Sequence, residues 1–124
     1  MQELTHYING AHVKGTSGRF SDVYNPATGE VQAKVPLANA AEMDIAVAAA
    51  EAAQPAWAAV NPQRRARVMM KFVGLLNDNM DKLAEALSRE HGKTLPDAAG
   101  DVQRGLEVVE YCIGAPQLLK GEYT

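Results

Sequence analysis

An arginine beside a glycine, inside a helical pattern, is where this sequence comes nearest to chemistry. In Gly100-Asp101-Val102-Gln103-Arg104-Gly105-Leu106-Glu107, Arg104 stands two residues from Val102 and projects away from the apolar positions of its helix. A guanidinium holds a carboxylate through two parallel N–H bonds, and a glycine alongside leaves room for such a ligand. The same spacing lets Arg104 pair with Asp101 or Glu107 on its own helix, or lie solvated. Cys112 is the one cysteine. A reactive thiol wants exposure and a positive neighbourhood, whereas Cys112 lies between Glu110, two residues before it, and Ile113 and adjoins an apolar stripe, so it reads as a small buried hydrophobe. His6, His12 and His91 lie in unrelated segments and read as surface or turn residues rather than metal ligands. Neither Gly-x-Gly-x-x-Gly nor a P-loop is present, Gly10, Gly15 and Gly18 being wrongly spaced, and His-Glu-x-x-His is absent too. On these residues alone the function stays open, with Arg104 the more interesting candidate for holding a ligand.

The elements that would position Arg104 follow a simple order: α+β, with a hairpin and short strands in residues 1–36, then three to four amphipathic helices in 37–124. Asn9-Gly10 between His6-Tyr7-Ile8 and Ala11-His12-Val13 predicts a hairpin with a type I′ turn. Lys14 to Gly18 reads as a flexible loop. Asn25-Pro26-Ala27-Thr28-Gly29 predicts a turn between two extended runs, the second from Val31 to Val35 and ended by Pro36. Asn39 with Glu42 three residues on is a capping box, opening an Ala-rich helix from about Ala40 to Gln54 that Pro55 ends or kinks, with Trp57 as a packing anchor beyond it.

Asn61-Pro62 opens the next helix. Met69, Val73, Leu76, Met80, Leu83 and Leu87 form one stripe along it, which Asn77-Asp78-Asn79 can break into two helices. Arg64, Arg65 and Arg67 read as a solvated or interdomain face. Gly92 provides the C-terminal stop. Thr94 caps a last helix with the stripe Ala99, Val102, Leu106, Val109 and Ile113. Gly100 and Gly105 inside it each cost about 1 kcal/mol relative to alanine, which predicts close approach of a backbone or a ligand. Ala115-Pro116 ends the pattern, and Gly121 to Thr124 trails off.

Composition narrows the class. The chain has 124 residues, 47% hydrophobic and 22% charged, an ordinary globular balance that excludes disorder. Twelve Lys and Arg against 15 Asp and Glu give a net charge of −3, without the basic footprint of a nucleic-acid binder. No apolar run approaches the ~20 residues that span a bilayer. The first residues lack the pattern of a secretory signal, and the lone cysteine fits a reducing compartment. A cytoplasmic location is expected, with an organelle such as the mitochondrion open if a transit peptide has been removed. Aromatic content is low at 6%, so much of the burial falls on small alanine faces. Such helices want a partner surface, and the isolated chain is expected to self-associate or swap elements.

Two groups of residues carry a resemblance. Asn25-Pro26-Ala27-Thr28-Gly29-Glu30 with Val31, Val35 and Pro36, the Ala-rich helix ending in Pro55-Ala56-Trp57, and Glu90-His91-Gly92-Lys93-Thr94 resemble the opening of the aldehyde dehydrogenase superfamily. The segment from Asp97 to Glu110, with Ala115-Pro116-Gln117-Leu118-Leu119-Lys120-Gly121-Glu122, resembles the CoA-acylating methylmalonate-semialdehyde dehydrogenases. The likeness runs from about Tyr7 onward.

The resemblance implies an α/β enzyme with a Rossmann-like NAD domain, of which this chain is the N-terminal piece. It implies oxidation of malonate or methylmalonate semialdehyde with NAD and transfer of the acyl group to coenzyme A, with loss of CO2, by a homotetramer serving valine and inositol breakdown. A cysteine thiolate attacks the aldehyde, hydride leaves to NAD, and the thioester passes to coenzyme A. Family chains are several times longer, and their nucleotide-binding units, catalytic cysteine and general-base glutamate come after the point where this chain stops. Cys112 does not match the catalytic motif. One role carries over: the resemblance implies that Arg104 holds the substrate carboxylate in the intact enzyme, while this chain alone is inactive and binds no cofactor. The alternatives are a short non-catalytic module that docks on a dehydrogenase, and another aldehyde dehydrogenase subfamily.

Overall fold

The computed structural model describes residues 2–122. The predicted trailing of the chain after Gly121 falls in part on Tyr123 and Thr124, which lie outside them. Compactness divides the chain between Ala59 and Val60, whereas the change from strands to helices comes near residue 36.

In the first unit, β1 (Gln2–Glu3) precedes a hairpin of β2 (His6–Ile8) and β3 (Ala11–Val13). Asn9 and Gly10 turn the hairpin at φ of 51° and 76°, the pair of positive values that a type I′ turn needs. Their register sets Tyr7 opposite His12, whose rings meet edge to face at 5.3 Å. A separate sheet has the order β1-β5-β4, with β4 (Phe20–Tyr24) antiparallel and β1 parallel to β5 (Val31–Pro36). The turn before β5 is closed by Asn25: its carbonyl accepts from Gly29 N at 2.8 Å and its Oδ1 from Ala27 N at 2.9 Å. Ala33, in the central strand, is buried.

Helix α1 spans Ala40–Ala59, five residues beyond the expected end, with Pro55 inside it. Proline removes the bond to the carbonyl of Glu51, but that residue is exposed and water can satisfy the freed group. Trp57 does not act as an anchor within this unit: it is 47% exposed.

The second unit is helical: α2 (Pro62–Asp78), α3 (Met80–His91), α4 (Leu95–Ile113) and the one-turn α5 (Ala115–Leu118). The stripe breaks at Asn79, as the Asn-Asp-Asn cluster predicts. The side-chain amides of Asn77 and Asn79 donate back to the carbonyls of Val73 and Leu75 at 3.0 and 2.8 Å, competing with helix continuation. Gly92 stops α3 at φ 85°, donating to the Ser88 carbonyl at 2.8 Å. Ala115-Pro116 does not end the helical pattern. Proline at a first turn loses no bond there, so α5 begins at that point.

Helix α4 packs on both α2 and α3. The buried apolar residues of this unit are Ala66, Ala84, Ala98 and Leu106, so the helices meet through small side chains. Phe72, Leu75, Val68, Met70, Val108 and Tyr111 stay exposed.

Candidate functional site

The corner between α3 and α4 is built by local chemistry. Thr94 caps α4, its Oγ1 accepting from Asp97 N at 3.4 Å. The αL turn at Gly92 reverses the chain, and Ser88 Oγ donates to the Lys93 carbonyl at 2.7 Å. These contacts fix the backbone of Lys93, whose ammonium reaches over the first turns of α4 to Asp101 Oδ2. The other oxygen, Oδ1, accepts from Arg104 Nη1, one turn further along α4. Hydrogen bonding from Lys93 holds the Asp101 carboxyl below its ordinary range, and the charges of Lys93 and Arg104 add to that.

Arg104 is therefore the Asp101-paired arginine that i, i+3 spacing allows, and its side chain is 75% exposed. Pairing and ligand binding are compatible, because the contact engages one of the guanidinium's five N–H donors. Gly105 beside it borders open space: a Cβ there, as at Gly100, would meet nothing within 4 Å. Among the described residues no backbone approaches either glycine, which overturns that half of the close-approach expectation. Next to the ion pairs, Asp101, Val102, Gly105 and Leu106 face Leu76 and Leu83 across an apolar groove of about 440 Å³.

The expectation of a buried Cys112 is corrected. It is exposed, because two helical turns past Arg104 no other described element covers that side of α4. Among the described residues no three His, Cys, Asp or Glu side chains converge as a metal-holding group. His6, His12 and His91 are dispersed: His12 Nδ1 lies 2.9 Å from Thr5 Oγ1, and His6 Nε2 lies 3.7 Å from Glu42 Oε1. Of the arginine group at the start of α2, Arg64 and Arg67 are exposed while Arg65 is half-buried.

The strand-to-helix junction β5–α1 is where an α/β fold would cradle a dinucleotide phosphate. Here Glu42 occupies it. Its carboxylate accepts from Asn39 N at 2.8 Å and Thr16 N at 2.6 Å, while Glu42 N donates to Asn39 Oδ1 at 2.9 Å. Those amides, Asn39 first, hold the Glu42 carboxyl below its ordinary range. A buried anion in that position repels phosphate, so these residues do not fit a nicotinamide-cofactor site. The capping box was legible from the spacing of Asn39 and Glu42. The Thr16 contact, like the reach of Lys93 to Asp101, crosses a loop, and no spacing rule flags it.

The sequence pattern of the aldehyde dehydrogenase family matches residues 12–124. The malonate-semialdehyde dehydrogenase of Pseudomonas aeruginosa is 49% identical over 124 residues, all of this chain and 25% of that protein. A crystal structure from Sinorhizobium meliloti 1021, assigned as a methylmalonate-semialdehyde dehydrogenase and complexed with NAD, superposes with a TM-score of 0.95. It is 65% identical and matches 100% of this chain and 25% of its own. The methylmalonate-semialdehyde dehydrogenase of Oceanimonas doudoroffii is 44% identical with a TM-score of 0.94, over 98% of this chain and 25% of its own. The chain thus spans about a quarter of the length of these relatives. No helix among the described residues is long and apolar enough to cross a membrane.

Proposed function

The chain belongs to the aldehyde dehydrogenase family, and on that premise we propose that it is the N-terminal quarter of an NAD-dependent, CoA-acylating dehydrogenase of malonate and methylmalonate semialdehyde. The observation that carries this reading is the match of the whole chain, at 65% identity and a TM-score of 0.95, to a quarter of a protein assigned to that activity.

In this reading the nucleophilic cysteine, the general base and the NAD and coenzyme A sites belong to the remaining three quarters. The product is acetyl-CoA or propionyl-CoA with release of CO2, as in valine or inositol breakdown. The enzyme is a cytoplasmic homotetramer. Arg104 supplies the contact to the substrate carboxylate. The guanidinium is paired at one nitrogen, exposed, and next to a glycine that bears no side chain, which is what a docking carboxylate needs. Cys112 takes no part in the reaction.

The exposed apolar helices also suit a short module that docks on a full-length dehydrogenase. The reading frame downstream of codon 124 separates the two: an open frame carrying a cysteine motif supports the enzyme, a stop codon the module. Purified alone, the 124-residue chain should form no NADH from malonate semialdehyde with coenzyme A. The full-length protein should do so and release a CoA thioester. Turnover by the short chain, or none by the full-length enzyme, overturns the assignment.

A further inference from the structure

Asp101 lies between two cations that come from different elements. Lys93, on the α3–α4 corner, takes Oδ2, and Arg104, one turn along α4, takes Oδ1. Each oxygen takes one cation, so Asp101 holds Arg104 through Oδ1 alone. The Lys93 backbone is tied to Ser88, and its side chain is only 21% exposed. The carboxylate is thus held from the corner side, while the guanidinium it holds is mostly in solvent.

We infer that Asp101 is a positioning residue for Arg104, tethering the guanidinium by one nitrogen so that the rest of its donor fork stays aimed outward for the carboxylate of an aldehyde substrate. The inference rests on the reading of Arg104 as the carboxylate-binding residue. The tether removes rotamer freedom from a long, exposed side chain before the ligand arrives. Lys93 holds the carboxylate from the corner side, so that Arg104 is bonded through the single oxygen Oδ1 and not as a bidentate pair. Two cations and one anion leave the cluster with one positive charge, which favours an incoming anion.

The sign of the response separates positioning from simple charge. In the full-length dehydrogenase, Asp101→Asn adds a net positive charge, so a pure field effect would lower KM for malonate semialdehyde. Positioning predicts a KM raised about tenfold, with kcat within about twofold and propanal unaffected. Asp101→Glu, which keeps the charge, should recover most of the loss. Lys93→Met should raise KM about threefold, but it also removes a positive charge, so Asp101→Ser, which again takes away the carboxylate and adds net positive charge, decides the matter if Asp101→Asn does not fold. An unchanged or lowered KM, or an equal loss on both aldehydes, overturns the positioning role. Arg104→Gln is measured alongside. If that variant loses its preference for the carboxylated aldehyde while the Asp101 and Lys93 variants keep theirs, the tether is wrong and Arg104's role stands. If Arg104→Gln keeps the preference, the reading beneath the inference fails.

Discussion

Helices α1 and α4 have nearly the same length, 20 and 19 residues, yet they exist for opposite reasons. Helix α1 is rich in alanine, the best helix former, and the residue it buries is Glu42, 8% exposed, at its first turn. Ile45, Val47 and Trp57 along it stay exposed. Helix α4 carries two interior glycines that work against it, but it buries Ala98 and Leu106 between α2 and α3. One helix is held by propensity and a cap, the other by packing. A helix that forms without burying its apolar side chains presents them as a surface.

The comparison breaks most visibly in the packing. Leu106→Ala, at 3% exposure, should cost about 2–4 kcal/mol in urea denaturation of the second unit. Ile45→Ala in α1, at 62% exposure, should change stability by less than about 0.5 kcal/mol. Equal costs would mean that α1 packs more tightly than its exposure shows.

Gly15 sharpens the picture of the first unit. A Cβ there would lie 2.6 Å from the Pro36 Cβ, so Gly15→Ala should cost about 1–3 kcal/mol through overlap. The caps come next. Thr94→Ala and Asn39→Ala should each cost about 1 kcal/mol, but the first should melt within a packed helix cooperatively and the second should lower α1 helicity by circular dichroism. One effect has the opposite sign. Gly105→Ala meets nothing within 4 Å and should stabilise α4 by about 0.5–1 kcal/mol.

Acid tests the cap of α1 directly. The folded-state pKa of Glu42 lies below its unfolded value, so its contribution is complete above the ordinary carboxylate range and is lost as pH falls through that range towards the folded value. Acid titration should therefore unfasten α1 and the Thr16 loop, and Glu42→Gln should flatten that dependence. A Thr16 amide whose protection, measured relative to its intrinsic exchange rate, is the same at pH 7 and pH 3 would contradict it.

Local signals were legible in the sequence. The Asn9-Gly10 turn, the Asn39–Glu42 box, the break at Asn79 and the Gly92 stop each depend on residues a few positions apart, and each is where its spacing places it. Four expectations missed because they concern surroundings. Pro55 sits within α1 because its lost bond faces water, Trp57 and Cys112 are exposed because no described element covers them, and the α4 glycines border open space. At the site, the pairing of Arg104 with Asp101 was one of the options that spacing left open. Lys93 as the second claimant on Asp101 was not visible, because the contact spans eight residues around a turn.

The most direct measurement compares two aldehydes in the full-length enzyme before and after Arg104→Gln. A lost charged hydrogen-bonded contact costs about 2–4 kcal/mol, so kcat/KM for malonate semialdehyde should fall by about thirtyfold or more while that for propanal holds within about threefold. An equal fall on both, or no fall on either, would show that Arg104 does not read the substrate carboxylate.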